Sequence, residues 1–130
     1  MLPFSRILIV DDSRVSRLIV RGMLERAGFS NLDEAVDGRD ALALLNRRSF
    51  ALVLSDWNMA PMSGLELLTA MRASPGLAAV PFVMVTARSQ KRFSDVARDR
   101  GATRYLEKPF SAETLIACVR SVGRDARLTA

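Results

Sequence analysis

Two hydrophobic patterns alternate along this chain. Short, nearly unbroken apolar runs recur at residues 6–10, 32–36, 51–55, 81–86 and 104–108, each the length of a β-strand. Between them, apolar residues repeat at helical spacing. Val15, Leu18, Ile19, Met23 and Leu24 mark a first helix, Ala41, Leu42, Leu44 and Leu45 a second, and Leu65, Leu67, Leu68 and Met71 a third. Leu115, Ile116, Val119 and Val122 mark a fifth. The interval from about 89 to 100 offers only Phe93, Val96 and Ala97 as an apolar stripe, so the fourth helix is expected to be the most weakly held.

Local punctuation supports this division. Gly28, Gly38, Gly76 and Gly101 fall where elements should end, and Pro75 and Pro81 bracket a connection. Ser63 and Glu66 have the spacing of a capping box for the third helix, and Ser111 is placed to cap the fifth. Strand followed by helix five times over predicts an α/β fold: a parallel sheet covered on both faces by right-handed crossovers. The unbroken apolar first, third and fourth strands suit such a doubly buried sheet.

The 130 residues, 49% hydrophobic and 25% charged, fit one compact domain, large enough to be stable without a disulfide or metal staple. Cys118 is the only cysteine, most simply a core residue. Without histidine the chain cannot build an imidazole zinc site, a Ser/His or Cys/His catalytic pair, or a phosphohistidine of its own. The longest apolar stretch, 77–87, contains Pro81 and is far shorter than the ~20 residues needed to span a bilayer. No signal peptide is visible at the amino terminus, so a cytoplasmic protein is expected.

In a doubly wound sheet, function belongs at the carboxyl ends of the strands. The first strand ends in Asp11 and Asp12, the third in Asp56, the fourth in Thr86 and the fifth in Lys108 before Pro109. Taken singly, these are ordinary turn and strand-end residues. Together they deliver three carboxylates, a hydroxyl and an ammonium to one rim. Clustered carboxylates repel one another, and a divalent, oxygen-preferring cation plus the ammonium would relieve that repulsion. The pattern points to a magnesium site beside a reactive carboxylate.

These residues carry a resemblance. The runs Ile-Leu-Ile-Val-Asp11-Asp12-Ser13, Ser55-Asp56-Trp57-Asn58-Met59, Met84-Val85-Thr86-Ala87, Gly101-Ala102 and Tyr105 through Lys108-Pro109-Phe110 resemble the receiver domains of bacterial two-component response regulators, above all the single-domain chemotaxis regulators of the CheY type. The likeness runs from residue 6 to about 122. It implies a flavodoxin-like, five-stranded doubly wound sheet of order 2-1-3-4-5 with five helices, and a single receiver domain over 1–130 with no output domain. It makes Asp56 the phosphoacceptor, with Mg²⁺ held directly by Asp12, Asp56 and the main-chain carbonyl of Asn58, and by Asp11 mostly through a water. Thr86 would bond one phosphoryl oxygen and Lys108 another, and the Lys108-Pro109 bond is typically cis. Many receivers have a proline four residues past the acceptor and an acidic residue before the glycine. This chain has Ala60 and Ser63 there, with Pro61 between, while Asp56, Asn58 and Gly64 keep their offsets. The departure bears on loop shape and on access for a kinase or phosphatase. Arg88, two residues past Thr86, would stand near the phosphoryl entrance.

Charge is unevenly spread. Residues 1–50 carry eight basic and seven acidic groups, 51–87 one and two, and 88–130 ten and five, so the last third holds the whole net charge of +5. In receivers that third commonly forms the output surface. Either Arg98, Arg100 and Arg104 merely solvate a weak helix, or Lys91, Arg98, Arg104 and Tyr105 present a basic face to an acidic partner. Tyr105 occupies the place of an aromatic switch residue, whose ring would move inward as Thr86 is drawn to the phosphoryl group.

The expected function is a signalling switch, not a conventional enzyme. Asp56 takes a phosphoryl group from a sensor histidine kinase, and the altered surface binds a target such as a flagellar motor component. The alternative is a phosphorelay carrier that passes the group to a histidine phosphotransfer protein. An anionic ligand such as a cyclic dinucleotide between Arg88 and Arg104 is a third reading. DNA binding is disfavoured, since no reading helix follows residue 122, and a monomer is expected.

Overall fold

A computed structural model describes residues 2–87 and 94–129, with side chains described as far as 123. The order is β1 (Ile7–Val10), α1 (Arg14–Arg26), β2 (Leu32–Ala35), α2 (Gly38–Leu45), β3 (Leu52–Asp56), α3 (Gly64–Ala73), β4 (Phe82–Ala87), α4 (Ser94–Asp99), β5 (Arg104–Lys108) and α5 (Ala112–Thr129). All five strands are parallel, in the order β2-β1-β3-β4-β5. The expected alternation and strand order are both present.

Alternation along the central strands divides the core in two. Leu8, Val10, Val53, Phe82 and Met84 point to one face, where α2 and α3 bring Ala41, Leu45, Leu67, Leu68 and Met71. Ile7, Ile9, Leu52, Leu54, Val83 and Val85 point to the other, where Leu24 of α1 and Leu115, Val119 and Val122 of α5 meet them. Two-sided burial is why β1, β3 and β4 carry no alternation of polar and apolar residues. Edge strand β2 buries only its ends, Leu32 and Ala35.

Helix starts follow side-chain chemistry. Ser13, Asp37 and Ser63 each accept from an amide of the first turn, and Ser63 with Glu66 closes the expected capping box. Ser111 accepts from the Thr114 amide at the start of α5. Gly28 and Gly101, at φ 98 and 101, leave α1 and α4 in the left-handed conformation that glycine adopts without strain.

Two expectations need correction. Val15, Leu18 and Ile19 do not face the core; they are 66%, 52% and 52% exposed. The buried side of α1 is instead Val20, Met23, Leu24 and Ala27. Val36 lies beyond the end of β2 and is 46% exposed. The fourth helix, described from Ser94, contributes only Ala97 to the core, and Val96 is exposed; Phe93 lies outside the described residues. Cys118 is half-buried against the α1–α5 side of the core, and burial pushes its thiol pKa up against a smaller opposing effect of Arg104.

Candidate functional site

Four strands of the sheet end side by side at one rim. Residues after β1 supply Asp11 and Asp12, and the ends of β3, β4 and β5 supply Asp56, Thr86 and Lys108. Oxygens of Asp11, Asp12 and Asp56 lie within 4.8 Å of one another. Their surroundings differ. Asp11 is buried, with Oδ1 accepting from the Ser13 amide at 2.9 Å and Oδ2 from Lys108 Nζ at 3.0 Å. Asp12 is exposed, and Asp56 is half-buried with Oδ1 3.5 Å from Lys108 Nζ.

The electrostatics follow from that crowding. Burial pushes the Asp56 pKa up to about 6; Lys108 opposes this, while the charges of Asp11 and Asp12 add to it. Burial alone would lower the Lys108 pKa, but its hydrogen bond to Asp11 and the charges of Asp56 and Asp11 prevail and raise it. Among the described residues, Lys108 is the cation in contact with this cluster, meeting Asp11 and Asp56. Carboxylate oxygens of this number and spacing suit a small hard cation, and the exposed Asp12 leaves the cluster open to solvent.

The loop after Asp56 is held from both ends. The Trp57 amide donates to the Val85 carbonyl at 2.9 Å, the Gly64 amide donates to the Trp57 carbonyl at 2.9 Å, and Met59 is buried. A Cβ at Gly64 would stand 2.2 Å from the Asp56 carbonyl oxygen, so only glycine permits this close approach. Asn58 is exposed on the loop. Ser63 retains the capping role at the unusual position before Gly64, and the Ala60-Pro61 bond is cis, as is Lys108-Pro109.

Thr86 is fully buried, and its hydroxyl donates to the Tyr105 hydroxyl. The half-buried Tyr105 ring packs against the α2–α3 side of the core, so it already lies inward. Arg98 is exposed and pairs with Asp95 at 3.3 Å, whereas half-buried Arg104 donates to Ser121 Oγ and to the Thr103 carbonyl. Arg88 and Lys91 lie outside the described residues.

Two features escaped sequence reasoning. An open apolar groove lined by Ile19, Val20, Met23, Pro109 and Phe110 runs up to Lys108. Arg17, from the first helix, reaches back to the Asp11 carbonyl. Neither has a linear motif: the groove joins α1 to the distant Lys108-Pro109-Phe110 segment, and the Arg17 contact depends on how α1 folds back on the turn before it.

Residues 7–120 match the family model of the response regulator receiver domain. The chain belongs to this family. Among curated relatives, chemotaxis protein CheY-3 of Vibrio cholerae is 42% identical over 110 residues, covering 85% of each chain. Chemotaxis protein CheY of Pseudomonas aeruginosa is 41% identical, covering 85% of this chain and 89% of its own. The crystallographic structure of chemotaxis response regulator CheY4 of Vibrio cholerae superposes with a TM-score of 0.84 at 34% identity, over 92% of this chain and 98% of that one. NtrX of Brucella abortus gives 0.89 at 30% identity, over 97% of this chain and 28% of the longer protein. The chain is thus a CheY-like receiver of two-component signalling. Among the described residues no helix is long and apolar enough to cross a membrane.

Proposed function

We propose that this receiver is a phosphorylation-dependent switch in which Asp56 accepts a phosphoryl group from a sensor histidine kinase and the altered surface binds a protein target. The observation that carries the reading is the meeting of Asp56 with Asp11, Asp12 and Lys108 at the rim below Thr86 and Tyr105.

Mg²⁺ fits the donor set, and when bound it would supply positive charge to the three carboxylates. Asp12, Asp56 and the Asn58 carbonyl are the proposed direct ligands. Asp11 is proposed to act through a water, since both its oxygens already accept hydrogen bonds, from Ser13 and Lys108. In the reaction, an Asp56 oxygen forms a bond to phosphorus as the P–N bond of the phosphohistidine breaks, the electron pair leaving with the imidazole nitrogen. Lys108, held by Asp11, is placed to neutralise charge on the phosphoryl oxygens. The apolar groove ending at Lys108 gives a protein-borne histidine a surface to rest on beside the acceptor.

Thr86 connects chemistry to output. Its hydroxyl is bonded to that of Tyr105, so donating its proton to a phosphoryl oxygen requires that this bond be given up or its donor reversed. Phosphorylation would thus alter the bond between Tyr105 and Thr86 and shift the population of β5 and α4 conformers. The proposed output surface is Arg98, Arg104 and Tyr105, with Arg98 the most available of the two described arginines and Lys91 outside the described residues.

Mixing labelled phosphoprotein with a histidine phosphotransfer domain tests this reading. A switch keeps its label on Asp56 until hydrolysis removes it. Rapid appearance of label on the added histidine would instead establish a relay carrier.

A further inference from the structure

Arg17 joins three elements: α1, which carries it, β2, and the turn between β1 and α1. Its Nε donates to Glu34 Oε1 on β2 at 2.9 Å, and its Nη1 donates to the main-chain carbonyl of Asp11, in the turn between β1 and α1, at 2.7 Å. The side chain is only 13% exposed. Glu34 is shared with Arg21, whose Nε donates to Oε2 at 2.7 Å and whose Nη2 donates to the Leu32 carbonyl at 2.9 Å. Burial would raise the Glu34 pKa, but the hydrogen bonds and charges of Arg21 and Arg17 together hold it below the usual carboxylate range. Glu34 is therefore anionic at neutral pH, a fixed anchor for both guanidiniums.

The two arginines differ in one respect. Arg21 fastens α1 to β2 alone, while Arg17 also grips the turn that carries Asp11, Asp12 and Ser13. That turn holds two carboxylates whose oxygens lie within 4.8 Å of an Asp56 oxygen and of each other, a cluster of like charge. Like-charge repulsion within that cluster acts to push the turn outward. A hydrogen bond from a charged donor to the Asp11 carbonyl resists that motion at the residue where the carboxylates begin.

We infer that Arg17 is a positioning residue for the cation site: through the Asp11 carbonyl, and braced by Glu34, it holds the two adjacent aspartates in the arrangement that binds Mg²⁺. This rests on the proposal that Asp11, Asp12 and Asp56 form a magnesium site. It predicts a loss of cation affinity from a residue that contributes no ligand atom, as supporting hydrogen-bond partners of metal sites do elsewhere.

The test uses the unphosphorylated full chain and inorganic Mg²⁺, with Trp57 fluorescence as the binding signal and urea midpoints without Mg²⁺ as the measure of folding. Arg17→Met should weaken Mg²⁺ binding by ~10- to 100-fold. Arg21→Met, which cuts the other bond to Glu34 but leaves the turn alone, should lower the urea midpoint and leave Mg²⁺ affinity within about twofold of the parent. Arg17→Lys keeps the charge but cannot span Glu34 and the Asp11 carbonyl as the guanidinium fork does. It should fold even where the methionine variant does not, and still bind Mg²⁺ several-fold more weakly. Parent-like affinity in Arg17→Lys, or equal losses in the Arg17 and Arg21 variants, overturns the inference. Failure of the parent chain itself to bind Mg²⁺ would overturn the magnesium reading and this inference with it, whereas normal parent binding with unaffected Arg17 variants removes the inference alone.

Discussion

Asp56 is poised by neighbours that disagree. Burial and the charges of Asp11 and Asp12 raise its pKa, Lys108 lowers it, and the net value is about 6, against 3.8 when unperturbed. A carboxyl whose folded pKa exceeds its unfolded one favours folding below the unfolded value and loses that contribution as pH rises through the folded one. The apo protein should therefore lose stability between about pH 4 and 6 through this group. Asp56→Asn removes the ionisation, and should stabilise the apo protein at pH 7 by about 1 to 2 kcal/mol once solvent screening is allowed for, with the gain vanishing near pH 4. Urea midpoints at the two pH values check this, and a gain independent of pH would show that charge is not the cause. Asp11 and Asp12 should separate equally clearly. Asp12→Ala should abolish Mg²⁺ quenching of Trp57 at little cost in folding. Asp11→Ala should weaken binding less but destabilise more, because it strips Lys108 of its nearest carboxylate and the Ser13 amide of its acceptor. Equal effects of the two variants on binding would contradict the proposed division between direct and water-mediated ligands. Asp11, Asp12, Asp56, Thr86 and Lys108 were legible in the sequence because strand ends locate them. Gly64 was legible only as a spacing; its reason, the contact with the Asp56 carbonyl, is tertiary.

At the scale of elements, α1 shows where periodicity is ambiguous. Val15, Leu18, Ile19 and Gly22 form one stripe at helical spacing, and Val20, Met23, Leu24 and Ala27 form another. Both satisfy an amphipathic pattern, and residue type alone cannot say which faces the sheet. Packing against α5 and the sheet selects the second. The consequence is measurable: Leu24→Ala should cost ~2 to 5 kcal/mol, as fully buried leucines do, whereas Leu18→Ala should change stability by less than about 0.5 kcal/mol. Comparable losses in chemical denaturation would return Leu18 to the core. Capping was more legible than packing. Ser63, Glu66 and Ser111 act through neighbours three residues away, so the sequence contains both partners. Strand ends moved by a residue, as at β2, which stops at Ala35 although its apolar run continues to Val36.

The whole molecule explains why so short a chain can assemble this site. Right-handed crossovers return every strand in the same direction, so polar residues that are 11 to 108 in the sequence converge on one rim without any of them being close in the chain to the others, Asp11 and Asp12 excepted. The apolar strands and the helices around them form the rigid frame, and the few polar positions at their ends carry the chemistry. The same geometry sets Thr86 and Tyr105 on adjacent strands, with their hydroxyls bonded to each other. Asp56 is the proposed acceptor and the cation its proposed requirement. Intact-mass measurement with peptide mapping, after incubation with acetyl phosphate, addresses both at once. One added phosphoryl group, located on Asp56 and formed only with Mg²⁺, is the expected result; labelling that persists in Asp56→Asn, or that proceeds equally in the presence of a chelator, would contradict it.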